Sequence, residues 1–107
     1  MANSFKNAGI QVGTSRTTLY TCPSGATAVI HALYISNVGT AASTADIEIT
    51  VDGGTTYRYI GKGLEIPDDS TLILDKPINL ESGDILAITA SNSGFIEAVS
   101  AILEITP

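Results

Sequence analysis

Apolar and polar residues alternate along much of this chain with the two-residue beat of β-strands. The clearest stretch is Asp46-Ile47-Glu48-Ile49-Thr50-Val51, with Ile47, Ile49 and Val51 on one face and Asp46, Glu48 and Thr50 on the other. Asp52-Gly53-Gly54 follows, residues that tolerate the positive φ of a tight hairpin loop. Thr55-Thr56-Tyr57-Arg58-Tyr59-Ile60 reads as the returning strand, so an antiparallel hairpin is expected across 45–61.

Other segments carry the same signal. Thr17 to Thr21 is a strand closed by Cys22-Pro23-Ser24-Gly25, a turn in which proline fixes φ and glycine permits a sharp reversal. Residues 28–36 are apolar on both faces, as in a central strand or one lying under a partner subunit. Ser70 to Leu74 follows the turn Ile66-Pro67-Asp68-Asp69, and Ile85 to Ala90 follows Glu81-Ser82-Gly83-Asp84. After Ser91-Asn92-Ser93-Gly94 comes a long last strand, Phe95 to Ile105. On it Val99, Ala101, Leu103 and Ile105 share one face, with Ser100, Ile102 and Glu104 opposite. The strands at 28–36 and 95–105 are expected to form the core.

Turns recur every 8–12 residues and no helical crossover separates the strands. The sheets must then be largely antiparallel. The expected fold is all-β: a single antiparallel β-sandwich, jelly-roll or Ig-like, of seven to eight strands. It occupies residues 15–107. Residues 1–14 read as a polar N-terminal arm with a short apolar beat at Ile10 and Val12, and deletion of residues 2–12 is expected to abolish partner binding while leaving the fold intact.

Composition sharpens this picture. In 107 residues, charged side chains make up 15% and apolar ones 44%, against a usual charged share of about 25%. No apolar run approaches the roughly 18 residues of a membrane span, and the first residues lack the apolar centre of a secretory signal. So apolar a surface is expected to lie partly against neighbouring subunits. Net charge is −6, and it is unevenly spread: residues 1–45 hold Lys6 and Arg16 and no acid, while 46–107 hold three bases and all eleven acids. Nucleic-acid binding, which needs a basic patch, is not expected.

Candidate chemistry is sparse. Cys22 is the sole cysteine and His31 the sole histidine, which leaves no disulfide, no metal pair and no linked base; both read as packed strand residues. Asp68 and Asp69, with Glu65 and Asp75 nearby, read as solvated turn acids, with a weak Ca²⁺ site the alternative, since the spaced Asp-x-Asp-x-Asp-Gly loop is absent. Gly61-Lys62-Gly63 lacks phosphate-loop spacing and reads as a bend or bulge. Tyr57 and Tyr59 share a strand face and suit the core, a protein interface or a sugar platform. No catalytic residue, cofactor or metal is expected.

The succession Leu19-Tyr20-Thr21-Cys22-Pro23-Ser24-Gly25, Ala32-Leu33-Tyr34-Ile35-Ser36-Asn37, Ile66-Pro67-Asp68-Asp69-Ser70 and Ile78-Asn79-Leu80-Glu81-Ser82-Gly83-Asp84 resembles small β-sandwich virion proteins of tailed bacteriophages. The resemblance covers roughly residues 15–106 and consists of turn signatures. It implies a non-enzymatic virion structural role, first as a capsid decoration (cement) protein on the capsid surface, made in the host cytoplasm. Such a protein would bind the major capsid protein or another virion protein as a homo-oligomer, a trimer first. The alternatives are a tail, neck or baseplate component, or a glycan- or receptor-binding module. Candidate interface residues are Phe5, Lys6, Ile10, Val12 and Arg16 toward the N-terminus, Tyr57 and Tyr59, and Asp68 and Asp69 in the loop 65–70.

Overall fold

The computed structural model describes residues 2–107, which form nine strands and no helix. They are β1 (Ala2–Val12), β2 (Thr17–Thr21), β3 (Thr27–Asn37), β4 (Ser43–Thr50), β5 (Arg58–Ile66), β6 (Thr71–Leu74), β7 (Ile78–Leu80), β8 (Ile85–Ala90) and β9 (Ile96–Thr106). Pairing is nested around the loop that follows β4. Strand β4 pairs with β5, β3 with β6 and β7, β2 with β8, and β1 with β9, all antiparallel. The long ribbon so formed is rolled up, which adds the pairs β3–β9 and β4–β8. The result is two packed sheets, one ordered β1-β9-β3-β6 with β7 also on β3, the other ordered β2-β8-β4-β5. This is a jelly roll, one of the two sandwich forms expected.

The core lies between the sheets because each strand turns one face inward. From the five-stranded sheet come Ile30, Leu33 and Ile35 of β3 and Ile96, Ala98 and Ile102 of β9; from the four-stranded sheet come Ala45, Ile47, Leu86 and Ile88. The last strand faces the opposite way from what its composition suggests. Its buried face is Ile96, Ala98, Ser100, Ile102 and Glu104, and the more apolar set Val99, Ala101, Leu103 and Ile105 lies on the outside. The register of β3 against β9 sets this, with Ile30 beside Ile102 and Leu33 beside Ser100. His31 is the extra residue of a bulge there and is exposed.

Residues 2–12, which the sequence suggests as a removable arm, are strand β1. It pairs with β9 along its full length, from Ala2 opposite Thr106 to Val12 opposite Ile96. Ala8 and Ile10 pack on the core and Val12 is fully buried. Removing this strand would uncover the backbone edge of β9 and part of the core. Residues 2–7 are exposed.

The hairpin at 45–61 is present but wider at its tip than expected. Val51 is not a core residue: it is 68% exposed in the loop. Asp52 gathers that loop by accepting from the Thr56 N–H (2.9 Å) and from the Thr50 hydroxyl (2.8 Å), and Gly53 and Gly54 take positive φ. Further along, the pairing of β4 with β5 shifts register, and the Gly63 N–H donates to the Asp46 carboxylate at 2.7 Å. That is the bulge foreseen at Gly61-Lys62-Gly63.

The two turns of the sequence signature meet in space. Cys22 N–H donates to Asp84 C=O and Gly83 N–H to Cys22 C=O, each at 2.9 Å, and Gly25 N–H reaches Ser82 Oγ at 3.0 Å. These bonds fix one end of the sandwich. At the other end the buried Asn37 amide donates to Ala41 C=O and Ile66 C=O, while its oxygen accepts from Gly39 N–H.

Two outcomes follow from this register. Ile102→Ala is expected to cost about 2–5 kcal/mol and Val99→Ala less than about 1 kcal/mol at a dilution that leaves the chain monomeric; urea unfolding of both variants at that dilution reads the difference, and equal losses would contradict the assigned faces. Ser100 Oγ is buried without a hydrogen-bond partner, so Ser100→Ala is expected to raise stability by about 1 kcal/mol in the same assay.

Candidate protein interface

Three groupings of side chains stand out, and they lie on different parts of the molecule. The first is inside. Glu104 faces the core from β9 but keeps its charge through two partners. Tyr20 crosses from β2 in the opposite sheet and donates its hydroxyl to Oε2, and Lys6 reaches Oε1 from β1 at 2.9 Å. The Tyr20 hydrogen bond, and after it Lys6, hold the Glu104 carboxyl below its ordinary range. Burial, with the same hydrogen bond second, pushes the Tyr20 phenol well above its own, so it remains a donor. The trio ties β1, β9 and β2 together across the sandwich. It is structural, and no cleft exposes it to a substrate.

The second grouping is on the outer face of the four-stranded sheet. Arg16 donates Nε and Nη2 to the two oxygens of Glu48, at 3.2 and 3.0 Å. Its guanidinium carbon lies 3.8 Å from the centroid of the Tyr57 ring. The hydrogen bonds to Glu48 strengthen the hold of Arg16 on its proton. Glu48 stands opposite Tyr59 in the β4–β5 pair, and Lys62 hangs over the Tyr59 ring at 5.2 Å. One face of each ring is therefore taken by a cation of the chain itself. The arrangement staples the β1–β2 connection to the tip of the long hairpin.

The third is the outer face of the five-stranded sheet. The pairings place Phe5, Leu103 and Val29 in one row, Asn7, Ala101 and Ala32 in the next, and Gly9, Val99, Tyr34 and Ile73 in a third. Phe5 is 82% exposed, Ile73 53%, Val99 47% and Tyr34 40%. The Phe5 ring stacks on His31, centroids 6.3 Å apart. Among the outward residues of β1, β9, β3, β6 and β7, Glu97 alone bears a full charge, and it sits at one end. A broad apolar sheet face with a single charge is the kind of surface through which proteins bind one another.

The expected interface residues scatter over these regions. Phe5 belongs to the third. Lys6 belongs to the first, its charge committed to Glu104. Ile10 is half-buried and Val12 wholly buried, so Val12 is a core residue and offers nothing to a partner. Its place opposite Ile96, where β1 runs onto the core, is the reason. Arg16, Tyr57 and Tyr59 form the second region. Asp68 and Asp69 are exposed in the loop after β5, where Asp69 takes a positive φ of 58° and donates its N–H to Asn37 C=O. Among the described residues, no group of three or more His, Cys, Asp or Glu stands together as a metal site. Cys22 is buried, with Sγ 3.4 Å from Ala26 C=O, and burial raises its thiol pKa. The reading from sequence missed Glu104, Tyr20 and the outward Val99–Leu103 set. The signal for the last was present: strands 28–36 and 95–105 carry more apolar residues than one buried face can hold.

No family model and no curated protein matches the chain. Solved structures do match in fold. One is a chain of the acid-stable capsid structure of Helicobacter pylori bacteriophage KHP30, with a TM-score of 0.58 at 17% identity, covering 100% of this chain and 90% of that one. Another is from the T13 particle of infectious bursal disease virus, with a TM-score of 0.59 at 12% identity over 95% of this chain. A third, from the Gx strain of that virus, has a TM-score of 0.56 at 13% identity. In the two bursal disease virus structures the match spans only 30% of the viral chain. The shared feature is the β-sandwich.

The Glu104 trio sets an acid limit. A carboxyl whose folded-state pKa lies below its unfolded value, about 4.3 for Glu, adds stability above that value and loses it as pH falls through the folded one. Wild-type stability is therefore expected to fall below about pH 4. Glu104→Gln should be less stable at pH 7 and show a flatter decline over the acid window. Urea titrations at pH 7, 4 and 3 measure this; parallel pH profiles for the two proteins would contradict it.

Proposed function

We propose that this chain is a bacteriophage virion structural protein that acts by binding other protein subunits, as a capsid decoration protein bridging subunits of the major capsid protein. The observation that carries the reading is the largely apolar outer face of the five-stranded sheet, on which Glu97 is the one full charge among the described residues. Its energy source is burial of apolar surface, and modest contacts repeated over a shell add up by multiplicity.

The fold comparison supports the same reading. The matched chain in the KHP30 capsid structure has nearly the length of this one, so a lone jelly roll of this size suffices as a capsid component there. Fold alone does not carry function across, and jelly rolls also serve as lectins. The glycan-binding alternative needs an open aromatic platform, and here Arg16 covers one face of Tyr57 and Lys62 overhangs Tyr59. A catalytic role would need convergent titratable groups in a cleft; here Glu104 is held by Tyr20 and Lys6 and Glu48 by Arg16, and Asp68 and Asp69 lie exposed on a loop.

The test is made on phage particles from the host that carries the gene. Particles banded on a density gradient and analysed by quantitative mass spectrometry are expected to contain the chain in many copies, on heads and not on isolated tails. Heads lacking it should release their DNA at a lower temperature. Absence from banded particles would overturn the virion role; presence on tails alone would replace decoration with a tail function.

A further inference from the structure

The outer face of the five-stranded sheet has a symmetry that the proposed role does not require. Its middle row is Asn7 on β1, Ala101 on β9 and Ala32 on β3, small or neutral residues that let another sheet approach. Two residues to one side of that row β1 carries Phe5, the most exposed large apolar side chain of the molecule. Two residues to the other side it carries Gly9. There the missing side chain leaves a shallow hollow of about 290 Å³ between Gly9, Gln11, Glu97 and Val99.

We infer that this face is a two-fold interface between two copies of the chain, in which Phe5 of each copy fills the hollow at Gly9 of the other. The inference narrows the reading of this face as a protein interface to one partner, a second copy of the chain, and rests on that reading; contact with the capsid then falls to the rest of the dimer's surface. Consider a two-fold axis lying across the strands through the middle row. It reverses each strand over its own counterpart. Phe5 then meets Gly9 of the other copy, Leu103 meets Val99, and Val29 meets Tyr34. Such an isologous contact needs a self-complementary surface. The rows supply it, with a knob and a hollow equidistant from the axis.

Charge points the same way. A copy of net charge −6 can approach its twin only through a face free of acids. The one acid here, Glu97, lies in the last row of the face, between Gln11 and Ser36, and is carried by this axis to the Asn3–Ile105–Thr27 end of the other copy, away from its own counterpart. The polar residues on the face, Asn3, Asn7, Gln11, Asn79, Ser36 and Thr71, are amides and hydroxyls. Of these, Asn7 lies on the axis and meets its own copy, and Asn3 meets Gln11; amides both donate and accept, so such pairs form where like charges would repel.

Size is adequate. Strands of this length at about 3.4 Å per residue, four abreast at about 4.8 Å, give a face of roughly 700 Å², close to the ~800 Å² per partner of a standard interface. The expectation of a trimer came from shell symmetry and from no residue, whereas this pairing is written in named side chains.

The test is the solution mass by sedimentation equilibrium, with thermal melting as a check on each variant's fold. Wild type is expected to be a dimer. Phe5→Ala should weaken it by at least about tenfold, as truncation of an interface anchor does. Gly9→Leu should weaken it comparably. A Cβ at Gly9 meets only Val99 at 3.6 Å and Ala98 C=O at 3.8 Å, and the strand is ordinary extended backbone, so the monomer accommodates the change. The decisive variant exchanges the pair, Phe5→Gly with Gly9→Phe, which puts the knob where the hollow was on both copies and should restore the dimer. A wild-type monomer, an oligomer whose mass ignores positions 5 and 9, or an exchanged pair no tighter than the weaker single variant would each overturn the inference. If wild type is monomeric and these variants lose binding to phage particles, the face serves another protein and the interface reading survives. If neither mass nor particle binding changes, both readings fall.

Discussion

The register of β9 is the constraint on which the rest of the molecule depends. It is the one strand with long partners on both sides, β1 and β3, each paired along almost its whole length. Successive side chains point to opposite faces, so a slip of one residue would exchange the entire buried set for the exposed one. Apolar content does not choose between the two faces of this strand. Shape and hydrogen bonding do. Ala98 and Ser100 are small and fully buried, and Glu104 finds Tyr20 and Lys6 only when it points inward. A buried carboxylate with two donors on separate strands specifies an arrangement that hydrophobicity alone leaves degenerate.

This explains what could and could not be read from the sequence. The strands β2 and β8 fall where the alternation and the turns put them, because short turns of Pro, Gly and Asp punctuate the chain unambiguously. The two-layer sandwich follows from many strands without crossovers. Strand β1 was less legible: Asn3, Ser4, Asn7 and Gln11 give it a polar look, and only pairing with the apolar β9 makes it a strand. Tyr57 and Tyr59 were placed on one face, but nothing in their spacing reveals Arg16 as the neighbour of Tyr57, since that contact joins residues far apart in the chain. Interface residues scattered for the same reason. Sequence proximity groups Phe5 with Lys6, Ile10 and Val12, whereas the strand turns Phe5 to one face and the other three to the opposite one.

The two broad faces divide the labour. On the four-stranded sheet Arg16 is paired with Glu48, and Asp46 accepts from the Gly63 amide, so that side is polar. On the five-stranded sheet the exposed apolar residues form neighbouring rows and almost all the acids are elsewhere. The low charged content of the chain is thus concentrated in its effect: it clears one face rather than thinning all of them.

Nested pairing has a consequence for how the molecule comes apart. The β4–β5 pair closes only the short loop between Thr50 and Arg58, while pairing Ala2 with Thr106 closes nearly the whole chain. Closure entropy grows with the length enclosed, and contacts between distant residues form slowly. Fraying therefore begins at the termini, where residues 2–7 bury little, and the hairpin tip is the last part to let go. Until β1 is zipped into place, the edge of β9 stands open to any passing strand.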